Sequence, residues 1–336
     1  MKSTIRISNY FIFVFFIVLC LFGACLSFTF GQASIPYNEI VDFLTLKSGA
    51  DSSYAMILKM RISRIAVAFI TGAGLSFSGV IYQSALKNYL ADPFMLGISA
   101  GAALFSAIAI ALKFSSSLVI SLFAFSGAVV SVGIVIFISW IKNFANYNLI
   151  LTGIAVNSFF SSFLTVVMYL SRDMQNIFFW LMGSLDVKYG AQIVYTYLIV
   201  FFCCIYAVKN SYILDILKLN EKTIFSIGVD YEFHRIRFLL LASIVCAVLV
   251  SQTGIIGFVG LIVPHAARIL IGDSHAALLP FSFLLGGSMM IYCDLLSRTM
   301  ADSLNFPIGI ITSLVGAPFF IMLLMRKTPE AAHKNG

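Results

Sequence analysis

The chain has 336 residues, of which 60% are hydrophobic and only 10% are charged. Soluble globular proteins carry about 25% charged residues, so this composition excludes a soluble enzyme and a disordered chain. It predicts an all-α polytopic membrane protein. The net charge of +7 is typical of cytoplasmic loops rich in Lys and Arg. No basic patch interleaved with aromatic residues indicates nucleic-acid binding.

Apolar runs predict the membrane-spanning helices. A span needs roughly 17–25 apolar residues, and ten runs reach or approach that length. In chain order they are Tyr10–Phe30, Ile65–Leu86, Pro93–Leu112, Leu118–Ile141, Leu149–Leu170, Ile193–Val208, Phe238–Ile256, Phe258–Ile271, Ala276–Leu296 and Ile308–Met325. We expect about ten transmembrane helices in one compact bundle, a single domain over residues 1–336. The sixth and eighth runs are short, so neighbouring helices should shelter them.

Glycine and positive charge are unevenly distributed over these runs. Gly72 and Gly79 fall in the second run, and Gly97 with Gly101 in the third. Small residues let helices approach closely in lipid, so these glycines indicate packing. With both termini inside, most Lys and Arg residues fall in inner loops, as the positive-inside rule requires. Charges that remain outside need another explanation.

The longest polar interruption, residues 209–237, predicts two short amphipathic helices on the cytoplasmic side. Asn220 can cap the second helix, and Gly228 stands where that helix should end. Leu217, Ile224 and Phe225 would lie in water if nothing covered them, which favours a docking surface. A solvated loop on the membrane surface is the alternative.

Residue types that bind metals or perform catalysis are sparse. The six cysteines lie in apolar runs without metal-ligand spacing and are expected to be buried thiols. His265 and Arg268 are one turn apart, and a structural role at a helix end is favoured over a metal site. Asp92 before Pro93 predicts a helix start. Few acidic residues lie inside the spans, so the energy for transport is expected to come from elsewhere.

Several motifs together resemble a known family, the FecCD-type iron-chelate and vitamin B12 permeases of type II ABC importers. In order along the chain these motifs read RISRIAVAFITGAGLSFSGVIYQ, LADPFMLGISAGAAL, LILTGIAVNSFFSS, FWLMGSL, GFVGLIVPHAARILIGDSHAALLP and FPIGIITSLVGAPFFIMLL. The resemblance runs from about Arg61 to Met325. It departs from the family at Tyr89, where the family commonly has proline.

The resemblance implies partners and assigns residues to them. It implies a homodimer or close heterodimer of permeases, two cytoplasmic ATPase subunits, and an external binding protein, periplasmic or lipid-anchored. Arg61, Arg64 and Arg298 would face carboxylates on the binding protein; lipid-headgroup anchoring is the alternative. The polar segment would hold the coupling helices that transmit nucleotide-driven motion. Its predicted coupling residues are Leu214, Leu217, Glu221, Phe225 and Gly228.

The resemblance also implies a gate and a pore. The gate would lie in two short cytoplasmic connections, at Asn88, Leu90, Asn146 and Tyr147. The fifth and tenth spans would line the pore. Asn157 and Ser161 lie four residues apart on one face of the fifth span, and we predict that they face the pore. Hydrogen bonding between helices is the alternative for both.

The sequence thus predicts the permease subunit of an ATP-driven importer in a bacterial or archaeal cytoplasmic membrane. We expect a ferric siderophore as cargo, with haem and cobalamin as alternatives. No cofactor, resident metal or catalytic residue is predicted. Two other classes remain open: a secondary carrier without an ATPase, and a membrane-embedded enzyme that uses His265.

Overall fold

The computed structural model describes residues 2–31, 33–45, 53–142, 146–186, 191–300 and 306–325. Over these residues the regular elements are all helical. The α-helices are α1 (Lys2–Thr29), α2 (Tyr37–Leu44), α3 (Ser53–Ala85), α4 (Ile98–Ala111), α5 (Ser117–Ile141), α6 (Asn146–Leu170), α7 (Met174–Leu181), α8 (Ala191–Lys209), α9 (Ser211–Leu217), α10 (Glu221–Ser226), α11 (Tyr231–Thr253), α12 (Val259–Ile271), α13 (His275–Thr299) and α14 (Ile308–Met325). A 3-10 turn, Pro93–Leu96, precedes α4.

Each of the ten predicted spans coincides with a helix. Within the described part of the chain, six helices are long and apolar enough to cross a membrane: α1, α3, α5, α6, α11 and α13. The pair α8 and α9 passes the same test together but bends by 62°, and α4, α12 and α14 are shorter apolar helices. The prediction of an all-α membrane bundle is therefore confirmed, with ten as an approximate count of spans.

Helix α3 forms the centre of the bundle, since 78% of an apolar 18-residue stretch of this helix is buried. Close packing around it depends on glycine: a Cβ atom on Gly72 would overlap the carbonyl oxygen of Gly286 in α13. A Cβ atom on Gly79 would likewise overlap the carbonyl oxygen of Gly260 in α12. The prediction that these glycines allow close helix contact is confirmed for Gly72 and Gly79.

The two short spans behave differently. Helix α12 is sheltered as predicted, with Val259, Val263 and Ala267 buried. The prediction for α8 is wrong, because α8 presents a row of exposed apolar side chains on its outer face, including Phe201 and Phe202. In a bilayer such a face is solvated by lipid, so a short apolar helix does not require a protein neighbour on every side.

Two helices begin well before their predicted starts. Helix α3 begins at Ser53, and α11 begins at Tyr231 with Asp230 as its N-cap, whose side chain accepts from the backbone N–H of Phe233. Arg235 in the first turns of α11 is buried and stacks on the Tyr231 ring at 5.0 Å. Hydropathy misses these turns because they carry charged residues, whose partners are an aromatic ring for α11 and carbonyl and carboxylate oxygens for α3.

Candidate functional site

Arg61, near the start of α3, closes the end of α1. Its buried guanidinium donates hydrogen bonds to the carbonyl oxygens of Phe28 (2.8 Å), Thr29 (2.9 Å) and Ala33 (2.6 Å). The last carbonyls of a helix have no partner within that helix, and a cation there also complements the helix dipole. Arg61 therefore caps α1 and fixes the chain that follows it.

Beside Arg61, a charged cluster joins α3 to α13. The fully buried carboxylate of Asp294 lies between Arg64 (Nε–Oδ1 2.8 Å) and Arg298 (Nε–Oδ2 3.0 Å). Arg64 also pairs with Asp186, whose side chain is 56% exposed, and Arg298 donates to the hydroxyl of Ser27. Two cations thus share one buried anion, and the cluster reaches solvent through Arg64 and Asp186.

The three arginines predicted to dock a binding protein lie together at one end of the bundle, which we call the arginine end. Arg61 and Arg298 are buried and donate to the chain itself. Arg64 is the most exposed of the three. Docking stays a prediction, and Arg64 is the member that can reach a partner.

The segment between α8 and α11 forms two short helices, α9 and α10, as predicted. Leu214, Leu217 and Ile224 are fully buried, whereas the side chain of Phe225 is 86% exposed. Leu217 and Ile224 need no partner to cover them, because both pack inward and anchor the two helices, whereas Phe225 stays exposed for the predicted docking surface. The side chain of Glu221 lies outside the described part of the chain.

Gly228 ends α10 in the predicted left-handed conformation, with φ at +79°. Its N–H donates to the carbonyl of Phe225 (3.0 Å), and the N–H of Val229 donates to that of Ile224 (3.3 Å). A built Cβ at Gly228 meets no atom within 4 Å. Glycine is thus favoured here by backbone conformation and not by crowding.

The α3–α4 connection, residues 86–97, holds two of the predicted gate residues. The side-chain oxygen of Asn88 accepts from the N–H of Leu90 (2.9 Å), and Leu90 is itself exposed. Asp92 starts the 3-10 turn as predicted: its carboxylate accepts from the N–H of Phe94 (2.7 Å). Tyr147 is exposed at the start of α6. The side chain of Asn146 lies outside the described residues.

The two predicted pore residues differ in their surroundings. Asn157 is half-buried and donates to the carbonyl of Phe94 in the 3-10 turn (3.3 Å), a contact between segments such as the alternative interpretation describes. Ser161 is exposed on α6. Their pore-facing role stays a prediction.

A cavity of about 600 Å³ lies against α14 and the break between α11 and α12. Its walls include Leu181, Gly257, Ile310, Ser313 and Leu314. The side chains at its wall are mostly apolar, and a Cβ atom on Gly309 would lie 2.5 Å from the carbonyl oxygen of Met182. The predicted tenth span thus borders a cavity, and neither Asn157 nor Ser161 does; a role of this span in a pore stays a prediction.

At the opposite end of the bundle, polar contacts that the sequence did not predict surround the turn between α12 and α13. Asp273 accepts from Arg268 (Nε–Oδ1 2.9 Å) and Lys218 (Nζ–Oδ2 2.8 Å). Burial acts to raise the pKa of Asp273, but Lys218 and Arg268 outweigh it and hold that pKa below the ordinary value for aspartate. Arg268 thus has the structural role at a helix end that we expected, together with a contact to Gln83.

An Asp–His–Ser chain with a buried histidine and serine lies next to this turn. The carboxylate of Asp215 in α9 contacts Nδ1 of His275 (2.7 Å), and Nε2 of His275 contacts the hydroxyl of Ser84 in α3 (2.5 Å). His275 and Ser84 are both buried. The chain therefore joins α9, α13 and α3, and its hydroxyl is not presented to a substrate.

Metal ligands and disulfides give no further site among the described residues. No group of three or more His, Cys, Asp or Glu side chains that could hold a metal ion occurs there. All six cysteines are free thiols.

Comparison with known proteins identifies a family of membrane transport proteins to which this chain is similar. The sequence profile of the FecCD transport family matches residues 19–326. The chain is 31% identical over 323 residues to the hemin transport system permease protein HmuU of Yersinia pestis, covering 94% of this chain and 96% of that protein. It is 33% identical over 325 residues to the Fe(3+) dicitrate transport system permease protein FecD of Escherichia coli K12, covering 93% and 98%. A solved inward-facing structure of a metal-chelate type ABC transporter aligns with a TM-score of 0.83 at 28% identity, covering 95% of this chain and 100% of that one.

Proposed function

This chain belongs to the FecCD transport family and is a membrane permease of an ABC importer, and we propose that its cargo is an iron complex, a ferric siderophore first of all. The observation that carries the proposal is a family match over almost the whole chain, with relatives named for hemin and ferric dicitrate. Haem and cobalamin are the alternative cargoes.

The cavity beside α14 supports a chelated cargo. Leu181, Ile310 and Leu314 offer apolar side chains to whatever occupies it. Ligand sites are typically lined mostly by apolar groups with a few polar ones, and Ser313 supplies a hydroxyl here. Such walls suit the organic surface of a chelator that keeps the metal inside its own ligands.

We propose that two ATPase subunits bind where α9 and α10 lie. Phe225 and Ile227 are exposed there on a short helix pair that buried Leu214 and Leu217 fasten to the bundle. An exposed apolar patch on a rigid support is a typical protein-interaction surface. Because Ile224 in α10 is buried as well, a displacement of Phe225 by the ATPase would be transmitted to the bundle.

We further propose the remaining partners and the location. A binding protein delivers cargo at the arginine end, where Arg64 and Asp186 reach solvent. A second permease subunit completes the pathway. The assembly lies in the cytoplasmic membrane, with the arginine end outside.

Uptake into proteoliposomes tests the proposal. The permease is reconstituted with the ATPase and binding protein encoded beside it, and radiolabelled ferric siderophore, haemin and cyanocobalamin are offered separately. We expect ATP-dependent uptake of the ferric siderophore that stops when the ATPase cannot hydrolyse ATP. Uptake that persists with the inactive ATPase would instead identify a secondary carrier.

The His265→Ala variant tests the membrane-embedded enzyme. It should transport normally, and loss of transport with assembly intact would favour the enzyme.

The ATPase contact has its own test. Phe225→Ser should weaken co-purification of the ATPase subunits, because it removes the most exposed aromatic ring of α10. Tyr37→Ser is the matched control, since Tyr37 is 77% exposed in α2, near the arginine end. Equal ATPase recovery with both variants would place the contact elsewhere.

A further inference from the structure

The carboxylate of Asp273 joins three segments of the chain at the end opposite the arginines. It contacts Lys218 directly after α9 (2.8 Å) and Arg268 near the end of α12 (2.9 Å). The hydroxyl of Tyr89, in the α3–α4 connection, donates to Oδ2 of the same carboxylate (3.3 Å). Lys218 and Tyr89 thus meet at one oxygen atom although they belong to segments far apart in sequence.

A second contact joins the same two segments independently. Nζ of Lys87, in the α3–α4 connection, donates to the carbonyl of Leu219 in the α9–α10 turn (2.8 Å). Lys87 adopts φ of +49°, in the left-handed region, which is uncommon for a residue with a side chain. Its ammonium also lies 4.7 Å from the centre of the Tyr231 ring.

These contacts are not part of the apolar core. Tyr89 is 51% exposed, and its ring lies against Arg268 at 4.8 Å. The side chain of Asp273 is 45% exposed. Removing either polar group therefore costs little core packing, and it removes one of the contacts that join these segments. Helix α9 itself is held to α13 and α3 through Asp215 and His275, so it moves together with the Asp273 turn.

We propose that Lys218, Asp273 and Tyr89 form a linkage that carries displacement of α9 to the α3–α4 connection, and that Tyr89 and Asp273 are positioning residues for the gate that the family resemblance predicts at Asn88 and Leu90. The inference rests on the proposed function, which places the ATPase at α9 and α10. Coupling between distant sites requires contiguous packed or hydrogen-bonded groups that both sites can bias. The Lys87 contact supplies a parallel connection from the α9–α10 turn.

The first experiment needs no cargo. Hydrogen–deuterium exchange is measured at residues 88–91 of the purified permease for Lys218→Ala, Asp273→Asn and Tyr89→Phe. We expect exchange there to rise at least about five-fold, the lower range of typical coupling factors. Lys218→Arg, which keeps the charge, should resemble wild type. Asp173→Asn and Tyr169→Phe, both distant from the linkage, are the matched controls.

The second experiment measures cargo transported per ATP hydrolysed in the complete reconstituted complex. Asp273→Asn and Tyr89→Phe should lower this ratio at least about five-fold, while the ATPase rate stays close to wild type. Unchanged exchange in the first experiment would overturn the linkage. Raised exchange with an unchanged transport ratio would reduce it to a local contact without a role in transport.

The two proposals fail in different ways. If wild-type permease takes up none of ferric siderophore, haemin and cyanocobalamin with ATP, the proposed function fails. The exchange measurement still decides whether α9 and the α3–α4 connection are linked.

Discussion

Asp294→Asn should destabilise the permease strongly, because Asp294 is the buried anion between Arg64 and Arg298. Asparagine has the same shape, so the substitution removes charge and little else. Breaking a buried ion pair by removing one partner costs about 3–5 kcal/mol, since it leaves an uncompensated charge. Here the carboxylate is fully buried and serves two guanidinium groups at 2.8 and 3.0 Å, so a loss within that range is expected.

Asp186→Asn is the matched control, because Asp186 contacts the same Arg64 but is 56% exposed. An exposed ion pair contributes about 0–1 kcal/mol, and Arg64 keeps Asp294 as its partner. Heating the detergent-solubilised protein and following its monodisperse fraction gives the midpoint. Asp294→Asn should lower that midpoint by about 6 °C or more, whereas Asp186→Asn should lower it by about 2 °C or less. Equal shifts for the two variants would refute the burial argument.

The same pair of variants separates folding from docking at the arginine end. If Arg64 orients a binding protein, Asp186→Asn frees a partly exposed guanidinium and should leave docking intact or strengthen it. Arg64→Gln should weaken docking more at low salt than at high salt, because exposed charge pairs are screened. Affinity that does not change with Arg64→Gln at low salt would remove Arg64 from the docking surface.

Three further outcomes follow from the geometry. Gly228→Val should lower stability by about 1–2 kcal/mol, because valine is strained in the left-handed backbone conformation, and it should reduce the cargo transported per ATP. Gly228→Asn should have a milder effect. Uptake into proteoliposomes distinguishes the two variants. In α5, Gly127→Ala should lower the stability of the fold by about 1–3 kcal/mol, because its Cβ would overlap the carbonyl oxygen of Gly101. A Cβ at Gly133 meets nothing within 4 Å, so Gly133→Ala should stabilise the fold by up to about 1 kcal/mol. Thermal midpoints of the two variants test this difference. Because the pKa of Asp273 is lowered, its stabilising contribution is present above the ordinary aspartate pKa and is lost as pH falls through the folded-state value. The midpoint difference between wild type and Asp273→Asn should therefore persist at neutral pH, begin to shrink below about pH 4, and vanish only below the lowered folded-state pKa.

The sequence predicted the helices because hydropathy is a local property. The apolar side chains of a run such as Leu118–Ile141 must contact lipid or other helices wherever the run lies. Helix α5 (Ser117–Ile141) matches this run within one residue at its start. Local chemistry also predicted the cap at Asp92 and the left-handed turn at Gly228. The short helices α2 and α7 escaped prediction, since each has only eight residues and hydropathy requires a longer run.

The roles of the charged residues depended on the tertiary structure. The sequence marked Arg61, Arg64 and Arg298 as charges that need compensation, but it did not identify what compensates them. Arg64 and Asp294 are 230 residues apart in the chain, and the packing of α3 on α13 brings them together. The contacts of Lys218 and Tyr89 with Asp273 escaped prediction for the same reason, because the three residues lie in segments far apart in sequence.

Hydropathy and capping fix where a helix begins and ends, because they act over a few neighbouring residues. The partner of a charge is fixed by which helices pack together, and that depends on close approaches such as Gly72 on Gly286. Leu217 and Ile224 show most directly what the sequence could not predict, although their amphipathic pattern was visible in it. Only the packed bundle determined that these apolar side chains face inward and leave Phe225 exposed.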